Sequence, residues 1–271
     1  MKLVDVPKHE FMESPSSWLT RIALRQVVSP RELARYIGLK TKTDCEMTLA
    51  RTSFAELATK LTESSHSSAL VDSVMNRLRE IDPSGDRYLL RHRSFAYHRF
   101  CAPCLATDRT KYFRIEWRFK CWRWCPLHCC LLHERCPHCN RLVTLPRDMY
   151  TAGSDGLGIA TLDRCLRCGN LLTSGWKKFV NSLADEIMTP WERVQIKNGR
   201  AALASLANGR LRFQGEEKIH SFMQLKRIER LGYLPHINFR LTPEELLHRK
   251  KNHIESSSEQ RSAQNQRMNK E

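Results

Sequence analysis

Apolar side chains recur every three or four positions through the first eighty residues, the repeat of an amphipathic helix. Trp18, Leu19, Ile22, Ala23 and Val27 form one stripe, and Ser14-Pro15 ahead of it offers a capping hydroxyl and a proline at the first helical position. Ser29-Pro30-Arg31-Glu32 is a capping box; Leu33, Ala34 and Ile37 follow as a buried face, and Gly38 suits a left-handed stop. Ser53-Phe54-Ala55-Glu56 repeats the box ahead of Leu57, Ala58 and Leu61. A fourth helix is predicted over 68–79, with Val71, Val74, Met75 and Leu78 inward. The turn that ends at Gly38 is one that helix-turn-helix modules make, and a plain helical bundle makes it too. In the DNA-reading case Arg31, Arg35, Lys40, Lys42 and Arg51 are the phosphate contacts.

Regularity breaks at Asp82-Pro83-Ser84-Gly85, a turn or linker. Farther on, strict alternation from Phe113 to Cys121 predicts a strand, yet Phe113, Trp117, Cys121 and Trp124 trace an equally good helical stripe. Both readings stand. Arg118 and Arg123, interleaved with Trp117 and Trp124, are further candidate nucleic-acid contacts, set against packing of the same aromatics around a small core. Residues 181–247 read as helical again, with Ile219, Phe222, Met223 and Leu231 on one face and Thr242-Pro243-Glu244-Glu245 opening a last short helix. The final stretch, 249–271, has almost nothing apolar to bury and is expected to be disordered.

Charge changes this picture. The chain of 271 residues carries a formal +16, and fourteen of its basic side chains against six acidic ones lie between residues 99 and 180. A basic middle favours a polyanionic partner through counterion release and electrostatic steering. Met1 to Pro7 is broken by charge and proline, unlike the apolar run of a secretory signal, and no stretch is as long and apolar as a membrane span. The expected setting is therefore a cytoplasm, away from membranes, where thiols stay reduced.

Cysteine usage decides the chemistry. Ten of the 11 cysteines fall between Cys101 and Cys168, a clustering natural for metal knuckles and unlike disulfide staples spread over a fold. Four pairs have the two-residue spacing that points two donors at one ion: Cys101/Cys104, Cys125/His128, Cys136/Cys139 and Cys165/Cys168. Taken sequentially they make one site of three thiolates and an imidazole and one of four thiolates, hence two Zn2+ per chain. A cross-braced pairing of the first knuckle with the third is the alternative. Cys45, Cys121, Cys129 and Cys130 read as small buried hydrophobes, with Cys129 the alternative to His128 as a ligand, and His133 and His138 as surface residues or residues beside the sites. Gly169 fits the left-handed residue that closes a knuckle turn. Eight ligands fill two tetrahedra and leave no position open for water. The chain also lacks the histidine-glutamate zincin signature, a deaminase signature, a phosphate-cradling loop and a nucleophile elbow, so no enzyme is expected.

The ordered set of motifs is more specific than any one knuckle. Glu13-Ser14-x-Ser16-Ser17-Trp18-Leu19-x-Arg21-x-Ala23, Cys101-x-x-Cys104, Tyr112-Phe113-Arg114-x-x-Trp117-Arg118, Cys125-Pro126-x-His128, Leu131-Leu132-x-x-x-Cys136-Pro137-x-Cys139 and Cys165-x-x-Cys168-Gly169 together resemble the TniQ family through roughly residues 7 to 175. The resemblance implies a targeting adapter of a multi-component DNA transposon, with a helical, helix-turn-helix-like N-terminal part followed by zinc fingers. It also implies partners: an AAA+ ATPase regulator, target DNA and, in some members, an RNA-guided CRISPR effector; whether the chain also pairs as a homodimer is left open by the sequence. The expectation is thus a mainly α protein with a helical domain over 1–98, a double zinc-finger region over 99–178, a C-terminal helical region over 179–248 and a tail over 249–271. The rival reading is a zinc-ribbon transcription factor that recognises an operator alone.

Overall fold

The helical start forms where the caps predict it. In the computed structural model α1 spans Pro15–Arg25, with the Ser14 hydroxyl accepting from the Ser17 N–H, and α2 spans Pro30–Tyr36 behind a complete Ser29/Glu32 capping box. Helix α4, Phe54–Leu61, is capped by Ser53 on one side only: the Ser53 hydroxyl accepts from Glu56 N–H, and Phe54 N–H donates to Asp72 Oδ1 at 2.7 Å. Asp72 thus caps the next amide of α4 from α5, His66–Ile81, which begins earlier and ends later than its apolar stripe.

The structure describes residues 3–39, 44–49, 53–62, 66–93, 95–120, 122–128, 130–145, 161–165, 167–174, 206, 209–212 and 219–221. All belong to one unit, Met1–Ile237. Lys40, Lys42, Arg51, Cys121 and Cys129 lie outside them, as do Phe222, Met223, Leu231, the Thr242 capping box and the tail over 249–271.

The described residues are mainly helical, with three small antiparallel hairpins. A short helix that periodicity does not reveal, α3 over Cys45–Leu49, packs against α1 and α5. It is the helix that follows the Gly38 turn, and Cys45, Glu46, Met47 and Leu49 are all buried. A helix spent on the interior has no face left to enter a groove, so α3 is not a recognition helix.

After α5 the chain forms the hairpin β1/β2 (Arg91–His92 with Phe95–Ala96) and α6, Ala102–Thr107. The stretch that reads as either strand or α-helix is neither: Ile115–Arg118 is a single 3-10 turn between extended flanks. Its flanks bridge to the N-terminal segment, Glu13 opposite Arg114, and to Leu89 opposite Phe119. Then come β3/β4, Trp124–Cys125 with Cys130–Leu131, and β5/β6, Arg210–Arg212 with Ile219–Ser221. The last hairpin corrects the helical expectation at Ile219, which pairs in register with Arg212. Gly209 (φ +69) precedes β5, beside the Arg77 guanidinium of α5. Its left-handed backbone is one that glycine adopts without strain.

One hydrophobic cluster joins both parts of the chain. Trp18, Ile22 and Phe54 belong to it, together with Phe113, Trp117 and the knuckle thiols Cys101, Cys104 and Cys125. No helix of the described residues is long and apolar enough to cross a membrane.

Candidate metal centres and the buried clamp beside them

Each knuckle is built locally. Cys101 caps α6, its sulfur accepting from the Cys104 N–H, so the first helical turn brings both thiols to one side. Cys125 ends β3 and His128 sits in the turn before β4, with Nδ1 directed at the sulfurs. The third and fourth knuckles share one construction. Cys136 N–H donates to Arg141 O and Cys165 N–H to Asn170 O, while Asn140 and Gly169, both at positive φ, return N–H bonds to Cys136 O and Cys165 O. The sulfurs of Cys136 and Cys165 accept from His138 N–H and Arg167 N–H at 3.4 Å. Gly169 has the left-handed backbone its position predicts, and Asn140 does the same in the other knuckle.

The structure brings together Cys101, Cys104, Cys125 and His128, and separately Cys136, Cys139, Cys165 and Cys168, with every donor atom of a group within 4.8 Å of the others. This is the sequential pairing, not the cross-braced one. In the first group Cys104 and Cys125 sulfurs are 3.6 Å apart, and His128 Nδ1 lies 3.5, 3.3 and 3.6 Å from Cys101, Cys104 and Cys125. In the second, Cys136–Cys168 and Cys139–Cys165 are each 3.7 Å apart. A tetrahedral ion with metal–sulfur bonds of about 2.3 Å has edges of about 3.8 Å between sulfurs, so both groups have the size of a zinc coordination shell. Crowding makes the same point. Hydrogen bonds from Cys101 and Cys104 hold the Cys125 thiol well below the usual range, and the contacts of Cys101 with Cys104, Cys125 and Cys130 push its own thiol up. Thiolates this close together repel unless a cation stands among them. Cys130, which reads from sequence as a small buried hydrophobe, is only half-buried and lies 3.7 Å from Cys101 Sγ.

The N-terminal motif does not face outward; it is a clamp on the first knuckle segment. Ser14 N–H donates to Phe113 O at 2.8 Å and Phe113 N–H donates to Ser17 Oγ at 2.9 Å. Ser17 Oγ donates to Glu13 Oε1 at 2.9 Å, and Arg21 pairs with Glu13 at 2.6 Å. Burial pushes the Glu13 carboxyl up to about 7, against Arg21, the Glu10 amide and Ser17, which all pull it down. Trp18 donates its indole N–H to Pro7 O at 2.8 Å.

Arg118 is the centre of a second buried knot. It is fully buried, pairs with Asp44 at 2.5 Å and Glu46 at 3.4 Å, and donates to Leu90 O and Tyr97 O at 2.8 and 2.7 Å. One cation serves two carboxyls, and burial splits them. Burial raises Asp44 in spite of Arg118; at Glu46 Arg118, helped by His98 and Ser16, outweighs burial and holds the carboxyl well below its ordinary value. This corrects the assignment of Arg118 to nucleic acid, because a guanidinium at 0% exposure cannot reach a phosphate. Ser16, His98 and Glu46 complete the knot, with Ser16 Oγ 3.1 Å from His98 Nε2 and also bonded to Glu46. A hydroxyl, an imidazole and a carboxylate in sequence suggest a hydrolase, but all three are fully buried and no substrate reaches them. Burial pushes His98 down to about 4, with Glu46 opposing.

Of the other candidate contacts, Arg31 and Arg35 are exposed on α2. Arg123 is half-buried, and burial together with neighbouring Arg99 lowers its pKa. Sequence reasoning missed the buried roles of Asp44, Glu46, His98 and Arg99. Arg99 alone donates to the carbonyls of Phe119, Lys120 and Trp122 and pairs with Glu134 at 2.9 Å. Their partners lie far away in sequence, so no local spacing marks them.

A comparison with curated proteins finds no match. The TniQ family model matches residues 6–132, which takes in the clamp and the first donor group and stops short of the second, a shorter span than the motifs suggest. Over residues 6–132, a little under half of its length, the chain is therefore similar to the TniQ family.

Proposed function

We propose that this chain is a zinc-stabilised adapter that binds target DNA, or an effector already bound to it, and recruits the AAA+ ATPase regulator of a transposon in the bacterial cytoplasm. The family match over residues 6–132 carries the reading. Cys101, Cys104, Cys125 and His128 would hold one Zn2+ and Cys136, Cys139, Cys165 and Cys168 the other. The donor sets and their spacing support this, since thiolate and imidazole suit a redox-silent, four-coordinate ion. The ion supplies cohesion here, not Lewis-acid chemistry, because four protein donors fill each shell.

The buried polar groups are committed to joining α1 and α3 to the knuckle segment, which leaves the surface to do the binding. Exposed Arg31 and Arg35 are the cations of the nucleic-acid reading that the structure describes on that surface. Purification of the full chain with the ATPase encoded beside it tests the proposal. A ternary complex on target DNA that weakens steeply with salt is expected. An isolated chain that footprints an operator by itself and ignores the ATPase would sink it.

A further inference from the structure

The first donor group has one thiol more than a tetrahedral ion takes. Cys130 Sγ is 3.7 Å from Cys101 Sγ, as close as the donors within either group are to one another. Yet Cys130 is not one of the four mutually clustered donors. It opens β4 directly opposite Cys125 of β3, so the hairpin register holds it at the edge of the site. It is also half-exposed, whereas Cys101, Cys104 and Cys125 are buried. An accessible thiol outside the metal shell, in van der Waals contact with a thiolate inside it, is the arrangement from which a disulfide closes.

We propose that Cys130 is an oxidation site whose disulfide partner is Cys101, and that closing this bond expels the first metal ion. The inference rests on the metal reading above. A hydroperoxide is the oxidant. The Cys130 sulfur gives an electron pair to one peroxide oxygen, the O–O bond breaks, and Cys130 becomes a sulfenic acid while the alcohol or water leaves. The Cys101 sulfur then attacks the Cys130 sulfur. An S–S bond forms, the S–O bond breaks, and the departing hydroxide takes a proton to become water. The sulfurs must close about 1.7 Å of their 3.7 Å gap. The metal is left with Cys104, Cys125 and His128, and a shell short of one thiolate loses most of its affinity. Because Cys101 caps α6 and lies in the shared hydrophobic cluster, its removal from the ion loosens the knuckle against α1. The competing pair, Cys104 with Cys125, is as close, but both thiols are buried and both belong to the shell.

The experiment uses the full zinc-loaded chain and hydrogen peroxide, with released zinc followed by a colorimetric chelator and the products by intact mass and peptide mapping. The wild type should release about one equivalent of zinc, lose two hydrogens, and yield a Cys101–Cys130 linked peptide that dithiothreitol and zinc reverse. Cys130→Ser should release zinc about tenfold more slowly or not at all, and Cys129→Ser should behave as wild type. A link mapped to any other pair, or release from Cys130→Ser as fast as from wild type, overturns the proposal. Should that variant fold poorly, Cys130→Ala and the wild-type peptide map decide. Zinc counted before peroxide is added speaks to the metal reading alone, whereas the mapped link speaks to this one whether or not the ion is bound.

Discussion

The two donor groups have the same size and opposite settings. The first has three buried thiols and a half-buried histidine, and it lies inside the cluster that contains Trp18, Phe54 and Trp117. The second has two buried thiols, one half-buried and one exposed, is held together by two knuckles of identical backbone pattern, and lies beyond the segment that matches the family model. Cys136 and Cys165 belong to that same cluster, so one ion would be enclosed by the core and the other would sit at its margin with Cys168 open to solvent. Their donor sets differ by one imidazole, and they differ also in how deeply the fold encloses each.

The largest expected effect breaks the comparison. Cys104→Ser removes a donor from the interior site, where a structural zinc is worth roughly 10 kcal/mol or more, and should abolish the cooperative unfolding of the whole described unit. Cys168→Ser should lose one zinc equivalent yet keep the near-UV circular dichroism of the buried tryptophans. Equal damage from the two would mean that the sites are equivalent.

Next comes the knot that holds the interior site to α3. Arg118→Met leaves Asp44 and Glu46 buried without their cation and should cost about 3–5 kcal/mol in urea unfolding. Adding Glu46→Gln to that variant should recover part of the loss.

Acid sharpens the comparison with a smaller effect. Burial lowers His9 and His98 to about 4 in the folded chain, so the unfolded chain takes up their protons first as pH falls from about 6.5. Their stabilisation is present above about 6.5 and is lost as pH falls through about 4, worth about 3 kcal/mol for each histidine. Glu13 and Glu116, raised to about 7 by burial, take up their protons first in the folded chain and offset that loss between pH 7 and pH 4.5. The reading is therefore the difference in urea midpoints at saturating zinc between wild type and His98→Gln, in which the variant should lose less on acidification by about one proton.

Smaller still, Gly169→Ala forces a side chain onto a left-handed backbone and should cost the second site about 1–2 kcal/mol, with no change in the first. A competitive chelator titration resolves the two affinities. Least of all, Arg31→Glu with Arg35→Glu should leave stability within about 0.5 kcal/mol. The same pair of changes should lower salt-sensitive DNA affinity; unchanged affinity would move the nucleic-acid surface off α2.

What could be read in the sequence follows from the range of the interactions. The Ser14 and Ser29 caps, the stop at Gly38 and the four knuckles are each determined within about five residues, and each is found where its spacing puts it. Helix α3 has no stripe because its five residues are nearly all inward. The Phe113–Cys121 stretch satisfied two periodicities at once, and the bridges of its flanks to Glu13 and Leu89 decided for a 3-10 turn. Ile219 looked helical beside neighbours that share its apolar character, but its partner in β5 lies seven positions earlier and sets it in a strand.

By itself the chain determined its caps, its knuckles and the donor types that suit zinc, because those depend on neighbours a few bonds away. The tertiary structure decided that Arg118 is a buried counterion and not a phosphate contact, that the family motif around Ser17 is an internal clamp, and that Cys130 stands beside Cys101. Asp44 and Arg118 are 74 residues apart, and Ser17 and Phe113 are 96 apart. A pairing at that separation is set by how the elements pack and is written in no local pattern.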